Sequence, residues 1–152
     1  MTPPTITWSL KAFGALTPLE LHALFRLRVD VFVVEQKCAY PEIDGQDPLA
    51  LHLLGFDTHG SLIAYARILP PEKNELPHIG RVVVAAANRG NNVGRLLMQE
   101  ALNAVSSVYG NRGNAVAAQA YLVPFYGSLG YVTTSDEYVW DGIPHVDMVL
   151  VR

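Results

Sequence analysis

The stretch from Ile79 to Tyr109 constrains the fold more than any other part of the chain. Ile79 to Val84 ends in Val82-Val83-Val84 with no polar break, which predicts a strand buried on both faces. Asn91 to Tyr109 reads as a long helix, because Val93, Leu96, Leu97, Ala101, Ala104, Val105 and Val108 recur at the helical period. Gly110 and Gly113 end it, and Ala115 to Ala120 reads as a short buried strand. A strand, a crossover helix and a second strand set two strands in one sheet with the helix on its face.

The remaining segments extend that sheet. Ile6 to Phe13 mixes β-formers with polar residues and predicts a first strand. Thr17-Pro18-Leu19-Glu20 is a helix start: threonine caps, proline suits the first helical position, and Glu20 completes a capping box. Leu21, Leu24, Phe25 and Arg28 share one face, so this helix is expected to run to Phe32 or Val34. Glu35 to Leu49, with two prolines, a glycine and four acids, reads as a loop. Leu51 to Asp57 and Ser61 to Leu69 predict two strands joined around His59-Gly60. Val123 to Leu129 predicts a short helix stopped by Gly130. Tyr131 to Trp140 and Val146 to Val151 predict two closing strands around Asp141-Gly142-Ile143-Pro144. Antiparallel neighbours early and a crossover later give an α/β (α+β) fold, a mixed sheet covered by helices.

Half of the 152 residues are hydrophobic and 16% are charged, so the chain is expected to form one domain spanning residues 1–152. The net charge of −3 and the lack of a basic stripe argue against nucleic-acid binding. The longest apolar run, Val82 to Ala87, is far too short for a membrane span. The amino-terminal MTPPTITWSLKAF has neither a basic start nor an apolar stretch, so a cytoplasmic location is expected. Cys38 stands alone, and His22, His59 and His78 show no ligand spacing, so no metal site is expected. Apolar segments at both chain ends are compatible with a homodimer.

The loop between strand and long helix carries the clearest chemistry. Asn88-Arg89-Gly90-Asn91-Asn92-Val93-Gly94-Arg95 places two arginines and two glycines at a helix amino terminus. Free backbone N–H groups and the helix dipole favour an anion there, and glycine lets a ligand approach the backbone. The physical reading is a phosphate or pyrophosphate cradle, against the plainer reading of a solvated loop. It has neither the Gly-Lys-Ser/Thr of a Walker-type loop nor the spacing of a dinucleotide fingerprint.

That loop, together with Gln119-Ala120-Tyr121-Leu122-Val123-Pro124-Phe125-Tyr126-Gly127-Ser128-Leu129-Gly130-Tyr131, resembles the GNAT superfamily of acyl-CoA-dependent N-acyltransferases. Arg28-x-x-Val31-Phe32-Val33-Val34-Glu35-Gln36, Ile43-Asp44-Gly45-x-Asp47, Ala64-Tyr65-Ala66-Arg67-Ile68, Ile79-Gly80-Arg81-Val82 and Asp141-Gly142-Ile143-Pro144-His145 look like its ElaA-type branch. The likeness runs from about Leu21 to Met148. The chain departs from the family pattern at Asn92, where glycine is usual, at Gln119, where asparagine is common, and at Leu122, where alanine is usual. Asparagine is the next best residue for left-handed backbone, so the cradle is expected to survive. Leu122 is expected to narrow the thiol end.

The resemblance implies a mostly antiparallel central sheet with helices on both faces and a V-shaped split between the fourth and fifth strands. Acetyl-CoA would lie in that split. Val82 and Val84, with Val83 between them, would hold the pantetheine arm by their backbones. Arg89, Gly90 and the N–H groups of Asn91, Asn92, Val93, Gly94 and Arg95 would hold the pyrophosphate, with Gln119 and Tyr126 beside the cofactor. A backbone N–H near Val82 would polarise the thioester carbonyl. The implied reaction is acetyl transfer to a primary amine, in a small molecule or a peptide, by direct attack. Tyr126 matches the family's general acid; its plainer reading is a packed ring. Glu35 and His145 are the candidate bases, each weighed against a structural role, with His52 behind them and a water relay as a substitute. Asp44 and Asp47 could attract a cationic amine or form Asx turns. Arg67 and Arg81 could bind a substrate carboxylate or pair internally. Trp8 and Trp140 read as packing anchors. The competing reading is a non-catalytic acyl-CoA-binding or regulatory module of the same fold, suggested by Asn92 and Leu122.

Overall fold

The computed structural model describes residues 5–151. Strand β1 (Thr7–Ala12) leads into helix α1 (Pro18–Arg28), then β2 (Leu51–Phe56), β3 (Leu62–Leu69) and β4 (His78–Val84). Helix α2 (Val93–Tyr109) crosses to β5 (Asn114–Gln119). Helix α3 (Val123–Ser128), β6 (Val132–Thr133), β7 (Tyr138–Trp140) and β8 (Ile143–Leu150) complete the order. The sheet runs β1-β2-β3-β4-β5-β8-β6, with β7 also on β8. Every pairing is antiparallel except β4 with β5.

Helices cover both faces. On one, Leu97, Met98, Ala101 and Val105 of α2 pack on Leu53, Ile63, Ile68, Val116 and Met148, joined by Tyr126 from α3. On the other, Leu24 and Leu27 of α1 pack with Val31 on Leu54, Tyr65 and Val83. The capping box forms as its residues predict: the Glu20 amide donates to Thr17 Oγ1 (3.1 Å) and the Thr17 amide to Glu20 Oε1 (2.9 Å).

Three local readings need correction. The first helix does not run on as α-helix to Phe32 or Val34; beyond Arg28 it continues as π-helix, Val29–Glu35. The run from Val29 to Val34 is apolar at all but Asp30, so it shows no period that would tell π-helical i→i+5 winding from α-helix. The expected strand from Tyr131 to Trp140 is two short pieces, β6 and β7. The last strand begins at Ile143, since Asp141 (φ 51°) and Gly142 (φ 77°) make a two-residue hairpin turn of the kind that needs positive φ at both positions.

The site is created by two features of β4. It meets β5 at one register position only, His78 opposite Ala115, so the strands part beyond it. It also carries a bulge. Tyr65 pairs with Val83 but Arg67 with Gly80, so β4 holds one extra residue, and Arg81 there has φ 49°. Bulges bend and twist a strand. Left-handed backbone costs arginine about 1–2 kcal/mol, and the side chain is held in compensation: Arg81 Nε donates to Glu42 Oε2 (2.7 Å) and Nη2 to Asp44 Oδ2 (3.2 Å).

Candidate active site

The split between β4 and β5 opens into a cleft of about 1430 Å³. One wall is Val82, Val83 and Val84 with the following loop, of which Arg89, Gly90, Asn92, Val93, Gly94 and Arg95 line the space; Asn91 is exposed and does not. The other wall is Ala117 and Gln119 of β5, Leu122, Phe125 and Tyr126. Asn92 adopts φ 64°, the left-handed geometry expected for it, and its side chain does not cap α2. The first amides of this 17-residue helix therefore lack a side-chain cap at the cleft, which is the electrostatic setting for an anion. Arg95 Nη2 donates to Ser128 Oγ (2.7 Å), tying α2 to α3.

The end of the π-helix clasps both walls. Glu35 accepts two hydrogen bonds from Arg89, Nη1 at 2.7 Å and Nη2 at 3.0 Å. Those bonds hold the Glu35 carboxyl below its ordinary range, and both its oxygens are engaged. The neighbouring Gln36 exchanges amide hydrogen bonds with Gln119 (3.2 and 3.4 Å). Gln36 stands in the motif that resembles the ElaA-type branch, but its pairing with Gln119, 83 residues away, carries no signal in the sequence.

Beyond Gln119 the cleft is aromatic. His145 lies opposite Gln119 on β8, stacked on Tyr138 with Trp140 edge-on at 5.3 Å between centroids. The 2.7 Å contact of His145 Nδ1 with the Ile143 carbonyl requires an N–H there, so the neutral ring carries its lone pair on Nε2. Trp140, read as a packing anchor, is half-exposed and lines the cleft, whereas Trp8 does pack: a Cβ on Gly55 would come within 2.6 Å of its ring. Tyr126 is only 5% exposed, packed edge-on against Phe125 and Tyr131, and lines the cleft. Its hydroxyl has no hydrogen-bond partner among the described residues, and burial pushes its pKa up, so it keeps its proton.

Residues 40–47 supply an ionic base to this wall. Arg28, fully buried, donates from Nε to Glu42 Oε2 (2.7 Å), from Nη1 to Asp47 Oδ1 (2.7 Å) and from Nη2 to the Glu42 carbonyl (2.9 Å). Arg67 Nη1 donates to Asp44 (2.7 Å) and Asp47 (3.1 Å). Asp44 also accepts from the Gln46 amide (3.0 Å), the Asx turn weighed for it. Asp44 and Asp47 are thus arginine partners, and Arg67 and Arg81 pair internally at these atoms. The signal for the network was Arg28 itself, a charge on the apolar face of α1. His52 is fully buried outside the cleft. Its Nε2 donates to the Asp47 carbonyl (2.9 Å), its Nδ1 accepts from Tyr65 (2.7 Å), and burial lowers its pKa, so it is a neutral structural group. Cys38 Sγ donates to the Asp141 carbonyl.

Residues 27–152 match the acetyltransferase (GNAT) domain family. The chain belongs to the GNAT acetyltransferase family. This GNAT protein is 40% identical to ElaA of Escherichia coli over 146 residues, 94% of its own length and 95% of ElaA. It is 45% identical to a UPF0039 protein of Schizosaccharomyces pombe over 141 residues, 92% and 93% of the two chains. Among solved structures, an acyl-CoA N-acyltransferase from Pseudomonas aeruginosa superposes with TM-score 0.91 at 41% identity, covering 97% of this chain and 100% of that one. ElaA of E. coli gives 0.90 at 39%, covering 96% and 99%. The family makes this protein a transferase. Among the described residues no helix is long and apolar enough to cross a membrane, and no cluster of three or more His, Cys, Asp or Glu is placed to hold a metal.

Proposed function

We propose that this GNAT protein moves an acetyl group from acetyl-CoA to a primary amine, in a small molecule or a peptide, by direct attack. The observation that carries the reading is one cleft lined by two uncommitted groups of complementary kind. These are the Tyr126 hydroxyl, which holds its proton, and His145 Nε2, which offers a lone pair. The Pseudomonas relative is an acyl-CoA N-acyltransferase, which supports a CoA-type donor.

In this reading the pyrophosphate sits at the α2 amino terminus with Arg89, and the pantetheine arm follows the free edge of β4 from Val82 to Val84. The amine nitrogen loses a proton to His145 Nε2 and attacks the thioester carbonyl carbon. A backbone N–H near Val82 stabilises the oxyanion. The C–S bond breaks, and Tyr126 gives its proton to the departing sulfur. The burial that raises the phenol also raises a thiolate formed beside it, which keeps the transfer feasible. Glu35 serves as the counter-ion of Arg89, because both oxygens are spoken for. Asn92 in left-handed geometry does the work of the usual glycine, which weakens the case for a non-catalytic module.

Calorimetric titration with acetyl-CoA, followed by an amine screen with thiol detection, tests this. Arg89→Ala should weaken binding. Tyr126→Phe should lower turnover by about 100-fold or more while leaving CoA affinity unchanged. A fully active Tyr126→Phe enzyme would remove the acid role, and no binding at millimolar acetyl-CoA would remove the acyl-transfer reading.

A further inference from the structure

Arg67 is bound differently from the other two arginines of the buried network. All three guanidinium nitrogens of Arg28 donate to protein acceptors. Arg67 commits only Nη1. Its Nε is buried with no acceptor, and its Nη2 makes no hydrogen bond among the described residues. The side chain is 5% exposed and lines the cleft. Its register partner on β4 is Gly80, where an added Cβ would meet nothing within 4 Å. The glycine leaves open ground beside the guanidinium. Native proteins rarely leave a buried donor such as this Nε unmet, and a ligand oxygen at the unpaired edge it shares with Nη2 is one way to satisfy it.

Charge decides what kind of oxygen. Arg28, Arg67 and Arg81 are matched by Glu42, Asp44 and Asp47, three against three. The cluster has no surplus positive charge for a carboxylate, which would enter a desolvated site uncompensated. Glu72 and Glu75 line the same cleft and add negative charge, which repels a carboxylate and favours an ammonium. A neutral carbonyl oxygen suits the free N–H without that penalty.

Building on the acyl-transfer reading, we infer that Arg67 determines acceptor specificity by donating through Nη2 to a neutral carbonyl next to the acceptor amine. The acceptor class is then an α-amino amide, either an amino-acid amide or a peptide amino terminus, in preference to a free amino acid or a simple alkylamine.

The test compares matched sets of amino-acid amide, amino acid and decarboxylated amine, such as leucinamide, leucine and isopentylamine, with parallel glycine, alanine and phenylalanine sets. Thiol release gives kcat/KM, and calorimetry on the CoA complex gives affinity without turnover. The amide should exceed both counterparts by about 10- to 100-fold in at least one set, as expected for a hydrogen bond from a charged donor. Arg67→Lys should shrink the amide-to-amine ratio to within about threefold; acetyl-CoA affinity and the melting midpoint report whether that variant is folded. Equal values for amide and amine in every wild-type set, or a preference for the free acid, overturn the inference. So does an amide preference that survives in folded Arg67→Lys. Amide-selective binding with no turnover of any amine overturns acyl transfer alone.

Discussion

Arg28→Met tests the claim that a buried ionic network anchors residues 40–47 beside the cleft. Methionine keeps much of the aliphatic stem but removes every donor, together with the guanidinium that lies over the Phe25 and Tyr65 rings. The cluster changes from balanced to one unmatched negative charge in a desolvated place. Removing one partner of a buried pair costs about 3–5 kcal/mol. Two contacts soften the loss here, since Glu42 keeps Arg81 at 2.7 Å and Asp47 keeps Arg67 at 3.1 Å. The expected cost is therefore at the lower end, about 3 kcal/mol. For a chain of this size that lowers the melting midpoint by about 6–12 °C. Urea unfolding of wild type and variant gives the free energy, and thermal melts give the midpoint. Arg26→Met is the control on the same helix: its pair with Asp30 is long, 3.8 Å, and exposed, 75% and 61%. That control should move stability by less than about 0.5 kcal/mol. Because Tyr40, Gln46 and Leu49 line the cleft from the loop that Arg28 pins, Arg28→Met should also raise the KM for amine more than for acetyl-CoA. A loss under about 1 kcal/mol, or one no larger than the control's, would refute the network as a structural anchor.

Three further outcomes are expected. Glu35→Gln releases Arg89 from its carboxylate partner, so calorimetry should show CoA binding tightened by up to about fivefold, the worth of an exposed ion pair; weakened binding would mean that Glu35 does not compete with the pyrophosphate. Asn92→Gly should bind CoA like wild type, whereas Asn92→Val, β-branched at φ 64°, should lose about 1–2 kcal/mol of stability and bind CoA more weakly. Glu20, Glu35 and Asp44 all have carboxyls held below their ordinary range. For Glu20 the main cause is the Thr17 amide. For Asp44, burial pushes upward but hydrogen bonds from Arg67 and Gln46 prevail. Groups depressed in the folded state stabilise it above their unfolded pKa and lose that effect as pH falls through the folded one. The melting midpoint should thus drop from about pH 4.5 downward, with a shallower drop in Asp44→Asn.

Local sequence determined what depends on near neighbours. The capping box at Thr17, the period of α2, the left-handed Asn92 and the anion-ready loop after β4 all rest on contacts within a few residues, so their reading carries into the structure. Periodicity missed the π-helical turns after Arg28, because Val29 to Val34 is almost wholly apolar and shows no period from which a change of winding could be read. It also ran β6 and β7 together, because strands of two and three residues are set by pairing with β8. The choice between pairing and substrate binding for Arg67, Arg81, Asp44 and Asp47 belonged to tertiary structure alone, since each ionic partner lies 19 to 39 residues away. So did the separate fates of the three candidate bases: His52 is sealed by Tyr65 and the Asp47 carbonyl, Glu35 is held by Arg89, and His145 is left with a free Nε2. A residue type announces what chemistry it can do; only the partners that reach it in space decide whether that capacity is already used.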